Sequence, residues 1–123
     1  MSDCILIVDD DPATSDVLRL FLEHEGHNVI VAAEGGEALR LLREQGPPSL
    51  ILLDLGMPGL DGWGFMDVLA RHPEWSGVPV VVLTGDRDAS PGELLALGAD
   101  DLLLKPVTPE ELLATVDRYS WAG

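Results

Sequence analysis

Ser49-Leu50-Ile51-Leu52-Leu53-Asp54 is the stretch on which the fold turns. An unbroken apolar run, Leu50 to Leu53, leads into a single carboxylate. Alternation of apolar and polar residues marks a strand with one wet face. A continuous run marks a strand covered on both faces, which is the usual condition of a parallel sheet. The acid that ends the run then stands at the carboxyl edge of that sheet, where open α/β sheets bind their ligands.

Working outward, four other apolar runs have the same character: Cys4 to Val8, Val29 to Ala33, Val78 to Leu83 and Leu102 to Leu104. Segments with helical spacing separate them. Val17, Leu18, Phe21 and Leu22 make one apolar stripe, and Ala38, Leu39, Leu41 and Leu42 make another. Asp11-Pro12 reads as N-cap and first helical residue, with Gly26 as the stop. Gly46-Pro47-Pro48 ends the second helix. A third helix is expected from Gly62 to about His72, before Pro73. Ser90-Pro91 opens a fourth, which Gly98 closes. Thr108-Pro109-Glu110-Glu111 has the form of a capping box opening the fifth. The order βαβαβαβαβα predicts a doubly wound α/β fold with a five-stranded parallel sheet and five helices. Residues 1–123 carry no linker, repeat or low-complexity tract, so a single domain over 1–123 is expected, with no room for an output domain.

Composition narrows the function. Seven Lys plus Arg against 22 Asp plus Glu give a formal net charge of −15. A chain this acidic, without a basic stripe, repels nucleic acid and anionic membrane surfaces. No apolar run is long enough to span a membrane, and the N-terminus lacks the basic stretch of a signal peptide. Cys4 is the only cysteine, which rules out an internal disulfide and reads as a small core residue. A cytoplasmic location is expected. Neither G-x-x-x-x-G-K-[ST] nor a strand-linked G-x-G-x-x-G is present, which disfavours nucleotide binding.

The chemistry sits at the strand ends. Asp9, Asp10 and Asp11 follow the first strand, Asp54 the third, Thr84 the fourth, and Lys105 before Pro106 the fifth. Taken singly, Asp10 and Asp11 are also acids that suit a helix N-terminus, and Asp54 also opens a turn. Together they make carboxylates converging on one edge, which repel each other as water is excluded. A hard divalent cation such as magnesium relieves that repulsion and leaves room for a phosphoryl oxygen. A free carboxylate, a metal and a lysine are the parts that phosphoryl transfer needs.

Asp9-Asp10, the stretch Asp54-Leu55-Gly56-Met57-Pro58-Gly59-Leu60-Asp61-Gly62, then Leu83-Thr84-Gly85, and Gly98-Ala99-Asp100-Asp101-Leu102-Leu103-Leu104-Lys105-Pro106 resemble the receiver-domain signature of response regulators in two-component signalling. The resemblance covers essentially the whole chain, in order. It implies a flavodoxin-like sheet with strand order 2-1-3-4-5, taken from the family and not from the pattern. It implies that Asp54 accepts a phosphoryl group from a phosphohistidine on a sensor histidine kinase or phosphotransfer protein. Asp9, Asp10, Asp54 and the backbone carbonyl of Gly56 would hold Mg2+. Lys105 would pair with Asp54 and then with a phosphoryl oxygen, Thr84 would bind another, and the Lys105-Pro106 peptide would be cis. By the same resemblance the domain would catalyse its own phosphorylation and dephosphorylation and would otherwise be no enzyme. It would signal to a downstream protein, or through a phosphorelay, by the face of the fourth helix, fifth strand and fifth helix, as a monomer or a phosphorylation-linked dimer.

Some positions depart from the family's pattern. Leu102 stands where Tyr or Phe is usual, and a leucine can repack there but has no ring to swing inward. Gly56 and Asp86 occupy positions that influence the lifetime of the phosphoryl group. Trp63 is read as packing at the start of the third helix, with an exposed contact for a partner protein as the alternative, and Trp75 and Trp121 as peripheral packing. His24, His27 and His72 are expected on the surface, away from the site. Two other functions compete. A haloacid-dehalogenase-type phosphatase also uses an aspartate nucleophile, but Ala13 breaks the pattern begun by Asp9 and Asp11. A phosphorylation-independent binding module is favoured by Leu102 alone.

Overall fold

The computed structural model describes residues 4–54, 62–75, 77–85, 92 and 98–119, and the side chains of 62 and 63 are not among them. The elements run β1 (Cys4–Val8), α1 (Pro12–His24), β2 (Asn28–Ala32), α2 (Gly35–Gln45), β3 (Leu50–Asp54), α3 (Gly62–Arg71), β4 (Val80–Thr84), β5 (Asp101–Leu104) and a last helix, Pro109–Tyr119. The five strands form one sheet in the order β2-β1-β3-β4-β5. Every pairing is parallel, as the continuous apolar runs require. Most of the expected fourth helix, the Met57-Pro58-Gly59 turn, Gly56, Asp86, the Trp63 side chain and Trp121 lie outside the described residues.

Successive residues of a strand point to opposite faces, and the two halves of the core follow from that. Ile51 and Leu53 of β3 join Leu6, Val8 and Val82 under Leu39 and Leu42 of α2 and Phe65 and Leu69 of α3. Leu50 and Leu52 join Ile5, Ile7, Val81 and Leu83 under Leu18 and Leu22 of α1 and Leu112 and Val116 of the last helix. The central strands β3 and β4 are buried along their whole length. Trp75, expected at the periphery, is buried to 5% exposure in the first of these clusters. Cys4, expected in the core, is half-buried where β1 begins.

Helix ends bear out the sequence signals. The Asp11 carboxylate caps α1 by accepting from the Ala13 amide at 3.2 Å and from the Thr14 hydroxyl at 2.7 Å. At the other end, Gly26 has φ 96°, its amide donates to the Glu23 carbonyl, and the His27 amide donates to the Leu22 carbonyl. These are the two bonds of a Schellman stop, and the positive φ is why glycine stands there. The last helix opens on the expected Thr108, whose hydroxyl accepts from the Glu111 amide at 3.1 Å. The Glu111 carboxylate reaches the Thr108 hydroxyl instead of its backbone, so only half of the expected box forms.

Strand limits differ from the apolar runs by one or two residues. β2 starts at Asn28, in register with Cys4, and stops before Ala33, whose amide donates to the Glu37 carboxylate. Val78 belongs to a turn, because its amide donates to the Trp75 carbonyl. Pro79 has no amide to give the ladder, so β4 begins at Val80.

Candidate functional site

At the carboxyl edge of the sheet, β1 and β3 end side by side. Asp9 follows β1 directly, tied into the sheet by its amide's bond to the Ala32 carbonyl at 3.0 Å. Asp54 is the last residue of β3 and pairs in register with Leu83 of β4. Thr84 closes β4, and its carbonyl accepts from the Lys105 amide at 2.8 Å, one residue past β5. The sheet thus holds Asp54 and Thr84 at the ends of their strands and ties Asp9 and Lys105, each one residue past a strand, to its edge by backbone bonds.

The side chains converge. Asp9, Asp10 and Asp54 offer carboxylate oxygens that all lie within 4.8 Å of one another. The Lys105 ammonium is 3.3 Å from Asp54 Oδ1 and 3.8 Å from Asp9 Oδ2. Asp9, Asp54 and Thr84 are buried, whereas Asp10 is exposed. The Lys105-Pro106 peptide is cis, as the resemblance implied.

Electrostatics set Asp9 apart. Burial pushes its carboxyl above the usual aspartate range, and the charge of Asp54 adds to the rise. The Asp11 amide and the Lys105 ammonium oppose it. Asp9 Oδ1 accepts from the Asp11 amide at 2.9 Å, but the buried Oδ2 has no hydrogen-bond donor among the described residues. A buried carboxylate oxygen without a donor is costly unless a cation serves it. Three clustered carboxylates against one ammonium, all oxygen donors, are a set that fits a hard divalent cation.

Leu102 pairs with Val82 in register and is partly buried against the α2/α3 side of the core. His24 is exposed, and His27 and His72 are half-buried. None of the three belongs to the carboxylate group.

Two residues matter to the site in ways that the sequence reading missed. Asp11 caps α1 as its place before Pro12 predicts, and its amide also orients Asp9. The signal was present, because an acid two residues before an amide is the spacing of an Asx turn. Asp100 carries no signal of its own beyond its place in the Gly98-Ala99-Asp100-Asp101 stretch. Its carboxylate accepts from the Val80 amide at 2.8 Å, and its own amide donates to the Val80 carbonyl at 2.7 Å, which fixes where β4 starts.

The family model for the response regulator receiver domain matches residues 5–117. The chain is 43% identical over 113 residues to the DNA-binding response regulator MtrA of Mycolicibacterium smegmatis, covering 91% of this chain and 48% of that protein. It therefore spans about half the length of that curated relative. Among solved structures, a putative response regulator from Chloroflexus aurantiacus superposes with a TM-score of 0.90 at 33% identity, covering 98% of both chains. The receiver domain of a Pseudomonas aeruginosa sensor histidine kinase gives a TM-score of 0.87 at 29% identity, also covering 98% of both, and has a magnesium ion coordinated in its active-site cleft. With the sheet order, the converging carboxylates and a match over nearly its whole length, the chain belongs to the response regulator receiver domain family.

Proposed function

We propose that residues 1–123 act as one phosphorylation-switched signalling receiver, with Asp54 as the phosphoacceptor. The observation that carries this is the pairing of a β3-terminal carboxylate with Lys105 at 3.3 Å, beside two further carboxylates. The Asp54 oxygen attacks the phosphorus of a phosphohistidine on a histidine kinase or phosphotransfer protein. A P–O bond forms, the P–N bond breaks, and the imidazole leaves with the electron pair. Magnesium held by Asp9, Asp10, Asp54 and the Gly56 carbonyl would supply neutralisation of the phosphoryl oxygens. Lys105 then exchanges its pairing with Asp54 for one with a phosphoryl oxygen. Thr84, at the neighbouring strand end, donates its hydroxyl to another. No output domain is needed for this chemistry, and a cytoplasmic location goes with such partners.

Thr84 and Leu102 form the switch in this reading. Leu102 is half-buried on β5, so a shift of Thr84 towards the phosphoryl group repacks it against the core without an aromatic swing. The surface of the fourth helix, β5 and the last helix presents the change to a downstream protein or a second copy. Gly56 offers no side chain to shield the phosphoryl group from water, and Asp86 adds negative charge, so both set its lifetime.

The test is intact mass after incubation with acetyl phosphate, with and without magnesium, for the wild type and Asp54→Asn. The expected result is a magnesium-dependent phosphoryl adduct that is lost in Asp54→Asn, with an unchanged circular dichroism spectrum. An adduct that persists in Asp54→Asn overturns the assignment.

A further inference from the structure

A groove of about 540 Å3 runs from the start of α1 to the segment after β5. Its apolar wall comprises Val17, Leu18, Leu83, Pro106 and Val107, and Lys105 is the one cation among the described residues that lines it. The volume falls in the range of small-molecule sites, about 300–1,000 Å3. Leu18 and Leu83 form a buried floor, whereas Val17 is 67% exposed on the rim. Lys105 belongs to both places, because its ammonium is 3.3 Å from Asp54 Oδ1. Lys105 thus links the groove to Asp54.

We infer that this groove seats the apolar leaving group of small acyl-phosphate donors, so that the domain prefers donors with longer acyl chains than acetyl. The inference rests on the assignment of Asp54 as phosphoacceptor. The reaction balances without further reagents. The Asp54 oxygen bonds to phosphorus, the acyl–oxygen–phosphorus bridge breaks at its P–O bond, and a carboxylate departs with the electron pair. A carboxylate leaving group needs no proton at neutral pH. Lys105, while paired with a phosphoryl oxygen, also sets positive charge beside that anion, and the apolar wall is complementary to the chain it carries.

The test compares initial rates of adduct formation by intact mass, in magnesium, with phosphoramidate, acetyl phosphate and butanoyl phosphate. Wild type and Val17→Asn are used, since Val17 lies on the exposed rim and outside the phosphoryl-transfer residues. Butanoyl phosphate is expected to exceed acetyl phosphate in specificity by up to about fifteen-fold, the effect of fully burying two methylenes. In Val17→Asn that ratio falls towards one, while the rate with phosphoramidate, which has no apolar part, stays unchanged. A ratio near one in the wild type, or an undiminished ratio in the variant, overturns the inference and leaves Asp54 as phosphoacceptor intact. A Val17→Asn defect seen only with a phosphohistidine protein assigns the groove to a macromolecular donor and also overturns it. Absence of an adduct from any donor, the protein included, overturns both the inference and the receiver assignment.

Discussion

A carboxylate oxygen buried without a donor, beside other carboxylates, is an unfavourable thing to fold around. Asp9 is that group, and its raised pKa makes the cost depend on pH. Above the ordinary value of 3.8 the unfolded chain has lost the Asp9 proton while the folded chain retains it. Folding takes up a proton in that window, so stability falls as pH rises through it, and the whole cost is present above the raised pKa. Asp9→Asn keeps an oxygen to accept the Asp11 amide and removes the charge. Without metal at neutral pH it is expected to raise the melting temperature by roughly a few degrees, a gain that vanishes on acidification below the ordinary aspartate range. Thermal unfolding in chelator across pH checks this, and a variant no more stable than wild type at neutral pH contradicts it. Lys105→Ala is expected to weaken the response to phosphorylation more than the affinity for magnesium, since an ammonium is no metal ligand. Paired titrations of partner binding and of metal check that order. Asp9, Asp54 and Lys105 were legible in the sequence because each follows an apolar run that could only be a buried strand. The contrast between buried Asp9 and exposed Asp10 was not, because it depends on which way each side chain leaves the strand end.

Elements end where their last backbone group finds a partner, and that is where reading the chain by apolar runs loses accuracy. Val78 is as apolar as Val80, but its amide is already used in a turn. Asp101 is charged and still extends β5, because its carboxylate is held by Arg118 at 3.0 Å across to the last helix. Hydropathy carries no trace of either. The caps were legible, since Asp-Pro, Gly and Thr-Pro-Glu-Glu act locally through backbone geometry. Two substitutions separate the local from the non-local device. Thr108→Ala removes the acceptor for the Glu111 amide and is expected to cost about 1 kcal/mol, the usual worth of a cap. Asp100→Ala leaves the Val80 amide without its side-chain acceptor and is expected to cost about 1–2 kcal/mol. Urea titration measures both. An Asp100→Ala protein as stable as wild type means that water serves the Val80 amide.

At the scale of the whole molecule, two apolar half-cores hold together a chain whose formal charge is −15. The two-faced burial was legible from Leu50 to Leu53, because residues 51 and 53 and residues 50 and 52 must face opposite ways. The meeting of Asp9, Asp10 and Asp54 was legible too, because each follows a strand, but the pairing of Arg118 with Asp101 across elements was not, since it needs the fold to bring them together. Most arginine pairs lie within a helix and on the surface, as with Arg19 and Glu23 at 3.1 Å or Arg71 and Asp67 at 3.2 Å, and such pairs stabilise little. Self-repulsion is therefore spread over the surface, with one concentrated part, among the described residues, at the strand ends. Salt and magnesium relieve different shares of it. Sodium chloride screens the diffuse part over a Debye length of about 10 Å at 0.1 M, so the melting temperature is expected to rise with salt in the wild type and in Asp9→Asn/Asp10→Asn alike. Millimolar magnesium, added at matched ionic strength, is expected to raise it further in the wild type only, because its stabilisation grows with occupancy of a specific site. A magnesium increment that survives in the double variant places the ion elsewhere on the acidic surface. An increment absent from both proteins means that the three carboxylates stay together without the cation that their geometry suits.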